Sequence, residues 1–188
     1  MKNFSFCPLT SKNWKDFENL FGPNGACEGC WCMTWRFAAA EYKKKKGEGN
    51  KKAMRELVKK TPPGIIAYEE KKLAGWCAVA PRIEYVRLEN SRVLKPVDDK
   101  LVWSVSCFFI AKHFRKKGLS AKLLKAAVDF AFSNGAQIVE GYPVEPRRGK
   151  MADVFAWTGI ASVFTKAGFK EVARRSETRP IMRIEKQN

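Results

Sequence analysis

Residues 101–110, Leu-Val-Trp-Ser-Val-Ser-Cys-Phe-Phe-Ile, run without a charge in a chain that is 29% charged. Such a β-branched and aromatic run reads as a central strand buried on both faces. Immediately after it come the basic turn 113–118 and then apolar residues at helical spacing: Leu119, Leu123, Ala127, Phe130 and Ala131. Asn134-Gly135 stops that helix. The chain must therefore build its core around one strand–turn–helix unit.

The rest of the pattern surrounds that unit with shorter elements. Residues 3–9 alternate as a first strand, and Trp14, Phe17, Leu20 and Phe21 mark a helix stopped by Gly22-Pro23-Asn24-Gly25. Residues 26–36 are rich in Cys and Trp. Lys43 to Lys46 read as a solvated helix face, residues 47–50 as an exposed turn, and residues 51–60 as a helix ended by Pro62-Pro63. Period-two runs at 64–69 and 73–80 predict a hairpin. Residues 81–100 are polar and irregular, with a helical turn near 85–89. Further on, 137–144 reads as a strand. Ala156, Ile160, Val163, Phe164 and Ala167 give a helical stripe capped by Gly168, and 171–175 and 180–184 read as closing strands. With 188 residues and no internal repeat or long linker, this is one α+β domain, residues 1–188, with a mostly antiparallel sheet.

Charge and cysteine usage narrow the partners. The 36 Lys+Arg against 19 Asp+Glu give +17, which favours polyanions or a phosphate-rich ligand. The uncharged runs 101–111 and 154–165 are too short to span a bilayer, and no signal-peptide pattern opens the chain, so a cytoplasmic protein without a membrane partner is expected. One histidine, His113, excludes a multi-histidine site, and its basic surroundings read as surface. The six cysteines are expected as reduced thiols. Cys27, Cys30 and Cys32 have metal-like spacing, but a structural zinc site wants four ligands and no second C-x-x-C exists. No metal is therefore expected, and the three read as small apolar residues of a pocket wall.

The turn at 115–120 carries the chemistry. Helix-start N–H groups are unpaired, the helix dipole adds partial positive charge, and a glycine lets a ligand approach the backbone. With three cations before it, the turn suits a pyrophosphate. Both the P-loop and the dinucleotide glycine fingerprints are absent.

Read as Arg115-x-x-Gly118-x-Ser120, the turn resembles the R/Q-x-x-G-x-G/A motif of the GCN5-related N-acetyltransferase (GNAT) family. The strand ending Cys107-Phe108-Phe109-Ile110 is similar to that family's central strand, and 157–169, ending Gly168-Phe169, to its second motif. The resemblance implies a GNAT fold with splayed central strands, and acetyl-CoA as acyl donor. It also implies pantetheine contacts near Ile110, and a pyrophosphate wrapped by Arg115, Lys116, Lys117, Gly118, Leu119, Ser120 and Ala121. Residues 22–62 would be the variable substrate region. Two departures stand out: Ser120 replaces Gly or Ala, and Phe164 replaces a Tyr that in many members is the proposed acid.

Three further readings concern the acceptor. Trp31, Trp35 and Arg36 offer flat apolar surfaces beside a cation, and the alternative is a buried turn. Glu140, inside an apolar strand and on the same face as Ile138 and Tyr142, is the candidate general base, with Tyr142 as its companion acid. Its alternative is a structural ion pair with one of the many Lys or Arg residues. The expected activity is acetyl transfer from acetyl-CoA to a primary amine of a small molecule, with polycationic amines disfavoured. The rival is a nucleic-acid- or ribosome-associated module acetylating a protein, which the scattered basic residues do not favour.

Overall fold

A computed structural model describes residues 3–146 and 153–187. Seven strands form one sheet: β1 (Phe4–Pro8), β2 (Gly64–Glu69), β3 (Lys72–Pro81), β4 (Trp103–Ile110), β5 (Ile138–Gly141), β6 (Lys170–Arg174) and β7 (Pro180–Glu185). Their order is β1-β2-β3-β4-β5-β7-β6, and only β4 and β5 run parallel. The expected α+β, mostly antiparallel architecture is present.

Local chemistry accounts for the elements. Glu70 and Lys71 both take left-handed backbone (φ 48° and 70°), the two-residue turn that matches strand twist, so β2 and β3 close as a hairpin. Helix α1 (Trp14–Phe21) buries Trp14, Phe17 and Phe21 and stops at Gly22. The helices α2 (Ala39–Lys45) and α3 (Glu48–Lys60) follow, then the single turn α4 (Val86–Glu89). Helix α5 (Leu119–Ser133) lays Leu119, Leu123, Leu124, Ala127 and Ala131 on one face of the sheet. On the other face, α1 and α3 pack with Trp31, Trp76 and Ile66. The central strands are thus covered on both sides, and a third, smaller cluster of buried residues gathers Ala80, Tyr85, Leu88, Leu94, Tyr142 and Ile181.

Four boundaries differ from the sequence reading, each for a local reason. Residues 47–50 are not an exposed turn. Helix α3 already starts at Glu48, and Asn50 is fully buried because its Nδ2 donates to the Gly29 carbonyl at 3.0 Å. The stripe 156–167 is two elements, a 3-10 helix Asp153–Thr158 and α6 (Ala161–Lys166), broken where Gly159 takes φ 89°. The strand expected over 137–144 ladders only over Ile138–Gly141, with Val144 bridging separately to Ile160. Finally, β4 begins at Trp103, leaving Leu101 93% exposed, and its second half is only half-buried. No helix among the described residues is long and apolar enough to cross a membrane.

Candidate active site

The turn after β4 is built from backbone. Beyond Ile110 a 3-10 turn (Lys112–Phe114) leads to Arg115 to Gly118, with Lys116 and Gly118 both left-handed (φ 58° and 76°). Arg115 Nε donates to the Ile110 carbonyl at 3.0 Å, and Lys117 Nζ to the His113 carbonyl at 2.5 Å, which tie the turn to itself. Leu119 is buried and anchors the helix start, while Ser120 is half-buried and Arg115, Lys116, Lys117, Gly118 and Ala121 are exposed. No acidic residue stands in the first turn of α5. A Cβ added at Gly118 would meet nothing within 4 Å. Open backbone at the N-terminus of a 15-residue helix, with exposed cations in front, fits a pyrophosphate.

A gap opens beside that turn. On one side β4 pairs with β3 along its whole length, from Trp103↔Pro81 to Ile110↔Gly75. On the other it pairs with β5 only at Trp103↔Val139, Ser104↔Glu140 and Val105↔Gly141. Past Val105 the two strands part, so among the described residues backbone at 106–110 has no ladder partner on that edge. An extended ligand arm can pair with an edge of this kind as an added strand does. At the point of parting, Phe164 is fully buried between Gly141 and Gly159; a Cβ on either glycine would meet its ring within 2.5 Å.

Across β4 from α5 lies a cavity of about 330 Å³. Cys107, Phe108 and Phe109 of β4 form one wall, and Cys27, Cys30, Cys32, Thr34 and Trp35 form the opposite one. Trp157 stacks on Trp35 at 5.5 Å between centroids. Of the three residues expected to contact an acceptor, only Trp35 reaches the cavity. Trp31 is 3% exposed and packs among Trp14, Phe17 and Phe21, so it is core. Arg36 is buried behind the wall, its Nη1 on Glu84 at 2.5 Å and its guanidinium 4.7 Å over the Tyr85 ring. Cys107, Phe109 and Trp157 are lining residues that sequence reasoning did not assign to a pocket. Alternation along β4 already put Cys107 and Phe109 on a common face, but nothing local signalled what faces them. Among the described residues, no group of three or more His, Cys, Asp or Glu could hold a metal ion.

Glu140 and Tyr142 lie away from this cavity. Alternation did bring them together: Tyr142 OH donates to Glu140 Oε1 at 2.7 Å. Arg82 Nη1 also donates to Oε1, at 2.9 Å, and Arg183 Nε to Oε2, at 2.7 Å. Tyr142 OH accepts from Arg82 at 2.5 Å and shares a 2.7 Å bond with Ser104. Burial, and then the Glu140 charge, push the Tyr142 phenol well above its ordinary range. Glu140 is fully buried, with both oxygens occupied by guanidiniums. This geometry matches the alternative reading, an ion-pair network: two guanidiniums and a phenol surround the buried carboxylate.

A family model for the acetyltransferase (GNAT) family matches residues 30–147. The chain belongs to that family. Solved structures agree on the fold. A GNAT-family acetyltransferase from Listeria monocytogenes aligns with TM-score 0.59 and 8% identity over 97% of this chain and 94% of that one. One from Streptococcus agalactiae gives 0.57 and 12% over 98% and 96%. The PaiA N-acetyltransferase of Thermoplasma acidophilum, solved in complex with coenzyme A, gives 0.54 and 12% over 98% and 99%. No curated protein matches the sequence. As a GNAT enzyme the protein is an N-acetyltransferase with acetyl-CoA as its donor. Phe164 remains a departure: its ring, wedged between two glycines, carries no proton to give.

Proposed function

We propose that the protein transfers the acetyl group of acetyl-CoA to a primary amine of a small molecule held in the cavity beside β4. The cavity carries this reading. At about 330 Å³ it has the size of a small-ligand site, it is walled mainly by rings and thiols, and it touches the β4 segment where the strands part. The donor's pyrophosphate lies at Gly118 to Ala121, with Arg115, Lys116 and Lys117 in front of it, and its arm lies along the open edge up to Ile110. A charge of +17 assists a phosphate-bearing donor and repels polycationic acceptors. Neutral or aromatic amines suit the Trp35, Phe109 and Tyr42 walls. Trp35 Nε1 is buried without a hydrogen-bond partner among the described residues and offers one donor to such a ligand.

In this reading the protein's part in catalysis is alignment of the two reactants in a water-poor slot. Glu140 and Tyr142 fix β5 to β7 and to the segment around Arg82, and carry no proton of the reaction. The test is a panel of amines assayed for thiol release from acetyl-CoA. Aromatic and neutral amines should turn over and polyamines should not. Turnover of protein or peptide amines alone would overturn the small-molecule reading.

A further inference from the structure

One wall of the cavity is held by a segment that does not line it. Residues 82–89, between β3 and β4, form a 3-10 turn (Arg82–Glu84) and the single turn α4, and none of them lines the cavity. Their contacts nevertheless end on Thr34, Trp35 and Arg36. Arg87 N donates to the Trp35 carbonyl at 3.0 Å, and Arg87 Nη1 to the Thr34 carbonyl at 3.2 Å. The Arg87 guanidinium also lies over the Trp35 ring, 5.8 Å from its centroid. Next to it, Arg36 donates to Glu84 and covers the Tyr85 ring.

Trp35 needs such a hold. A buried indole N–H usually finds a hydrogen-bond partner. Trp35 Nε1 is buried with none among the described residues, so no such bond fixes its plane. The ring is set by its neighbours instead: Trp157, stacked at 5.5 Å and 28°, the Arg87 guanidinium, and the cluster of Tyr85 and Leu88. Arginine suits this place because its planar fork can lie over a ring and donate to a carbonyl at once. Phe108 and Phe109 stand across the same cavity, so the tilt of the Trp35 ring sets the width of the slot between them.

A four-residue helix has too few internal hydrogen bonds to serve as a rigid mount by itself. Arg82 stiffens it. Its Nη2 donates to the Leu88 carbonyl at 3.1 Å and the Leu94 carbonyl at 2.8 Å, and its Nε lies 2.7 Å from Glu89. Its Nη1 reaches Glu140 of β5 at 2.9 Å, beside the point where β4 and β5 part. An unbroken line of contacts runs from Glu140 through Arg82 and α4 to Arg87 and the ring of Trp35.

We propose that Arg87 is a positioning residue for the acceptor. By holding the Trp35 ring it sets a slot for the flat ring of an aromatic primary amine, and with it the preference among amines. This rests on the reading of the cavity as the acceptor site. Arg87 lines neither the cavity nor the turn at 115–121, so its loss should weaken acceptor binding and spare the donor.

The test is a double-mutant cycle on Arg87 and Trp35, with 2-phenylethylamine as the aromatic primary amine and acetyl-CoA at saturation. Arg87→Ala should raise the KM for the amine about 10-fold, equivalent to about 1.4 kcal/mol, with kcat and acetyl-CoA affinity within about twofold of wild type. In a Trp35→Ala background the same substitution should change KM by less than about twofold, because the ring it holds is gone. Arg92→Ala, which removes an exposed charge from the same connection, should leave all of these constants unchanged. Where Trp35→Ala raises the KM, two outcomes overturn the inference and leave the cavity reading in place. One is an Arg87→Ala variant of normal KM. The other is an Arg87→Ala effect that persists undiminished without Trp35, or falls on kcat or donor affinity. A KM that neither substitution moves overturns the cavity reading and the inference together, as does wild-type protein that binds acetyl-CoA without acetylating the amine. Should Arg87→Ala fail to fold, Arg87→Lys takes its place in the cycle, keeping the charge and losing the planar fork.

Discussion

The turn after β4 and the loop after α1 both depend on left-handed backbone, yet they use it in opposite ways. In the turn, Lys116 and Gly118 bend the chain so that a Cβ at Gly118, just before α5, would meet nothing within 4 Å among the described residues. In the loop, Ala26, Glu28, Trp31 and Cys32 share positive φ with Gly25 and Gly29, and the space above them is full. A Cβ on Gly25 would meet Trp31 Nε1 at 2.3 Å, and one on Gly29 the Gly47 backbone nitrogen at 2.6 Å. One glycine-dependent segment is kept open for a ligand's phosphates. The other is packed by its own chain, so that its far wall presents fixed side chains to a cavity. The first is a site made of backbone, the second a site made of side chains held by backbone strain.

The sharpest way to break this comparison is Gly29→Ala. The Gly29 carbonyl accepts from Gly47 N and from Asn50 Nδ2, both at 3.0 Å, so the loop and α3 share one anchor. An added methyl must move backbone at a φ of 72°, and overpacking with that strain should cost about 3–4 kcal/mol. Thermal or urea unfolding measures it. A cost under about 1 kcal/mol would mean the loop can relax and is not a rigid wall.

Next in size is Glu140→Gln. Removing this charge leaves Arg82 and Arg183, both 7% exposed, short of one shared partner each, although Glu89 and Asp98 remain. The expected loss is about 3 kcal/mol of stability. At a temperature where the variant stays folded, the acidic limb of its pH–rate profile should keep its shape. A variant of normal stability whose acidic limb flattens would restore Glu140 as the base.

Gly118→Glu probes the open segment. The side chain enters free space, so the stability cost should stay near the roughly 1 kcal/mol of left-handed strain. The carboxylate, however, stands where phosphates approach, and acetyl-CoA affinity should fall by about 100-fold in calorimetry. Equal damage to folding and to binding would erase the contrast with Gly29.

What sequence could disclose follows the same division. The strand–turn–helix unit was readable because its causes are local: an uncharged run, three cations, a glycine and a helical stripe within some thirty residues. Alternation paired Glu140 with Tyr142 correctly, but the pair's role depends on Arg82 and Arg183, which lie 58 and 43 residues away in the chain. No periodicity encodes that meeting. Likewise Trp31 and Trp35 look alike in the sequence. Only the packing of α1 sends one to the core and the other to the cavity. The stripe through 156–167 misled because Gly159 breaks it with a φ that no side-chain pattern reveals.

The smallest effect concerns what holds the filled loop from outside. Glu18 on α1 accepts from Lys51 of α3 at 2.7 Å and from Lys15 at 2.9 Å, tying together the two helices that flank the loop. These bonds, Lys51 first, hold the Glu18 carboxyl at about 2, below its ordinary range. Because the folded value is depressed, the stabilisation is complete above the unfolded value near pH 4.3 and disappears as pH falls towards 2. The ion pair is solvent-screened, so Glu18→Gln should cost only about 0.5 kcal/mol at neutral pH, and less in high salt. The difference between variant and wild type should shrink as the pH is lowered through that window. If the cost is instead independent of pH and salt, Glu18 acts through packing on α1, and the two helices are held by the loop and not across it.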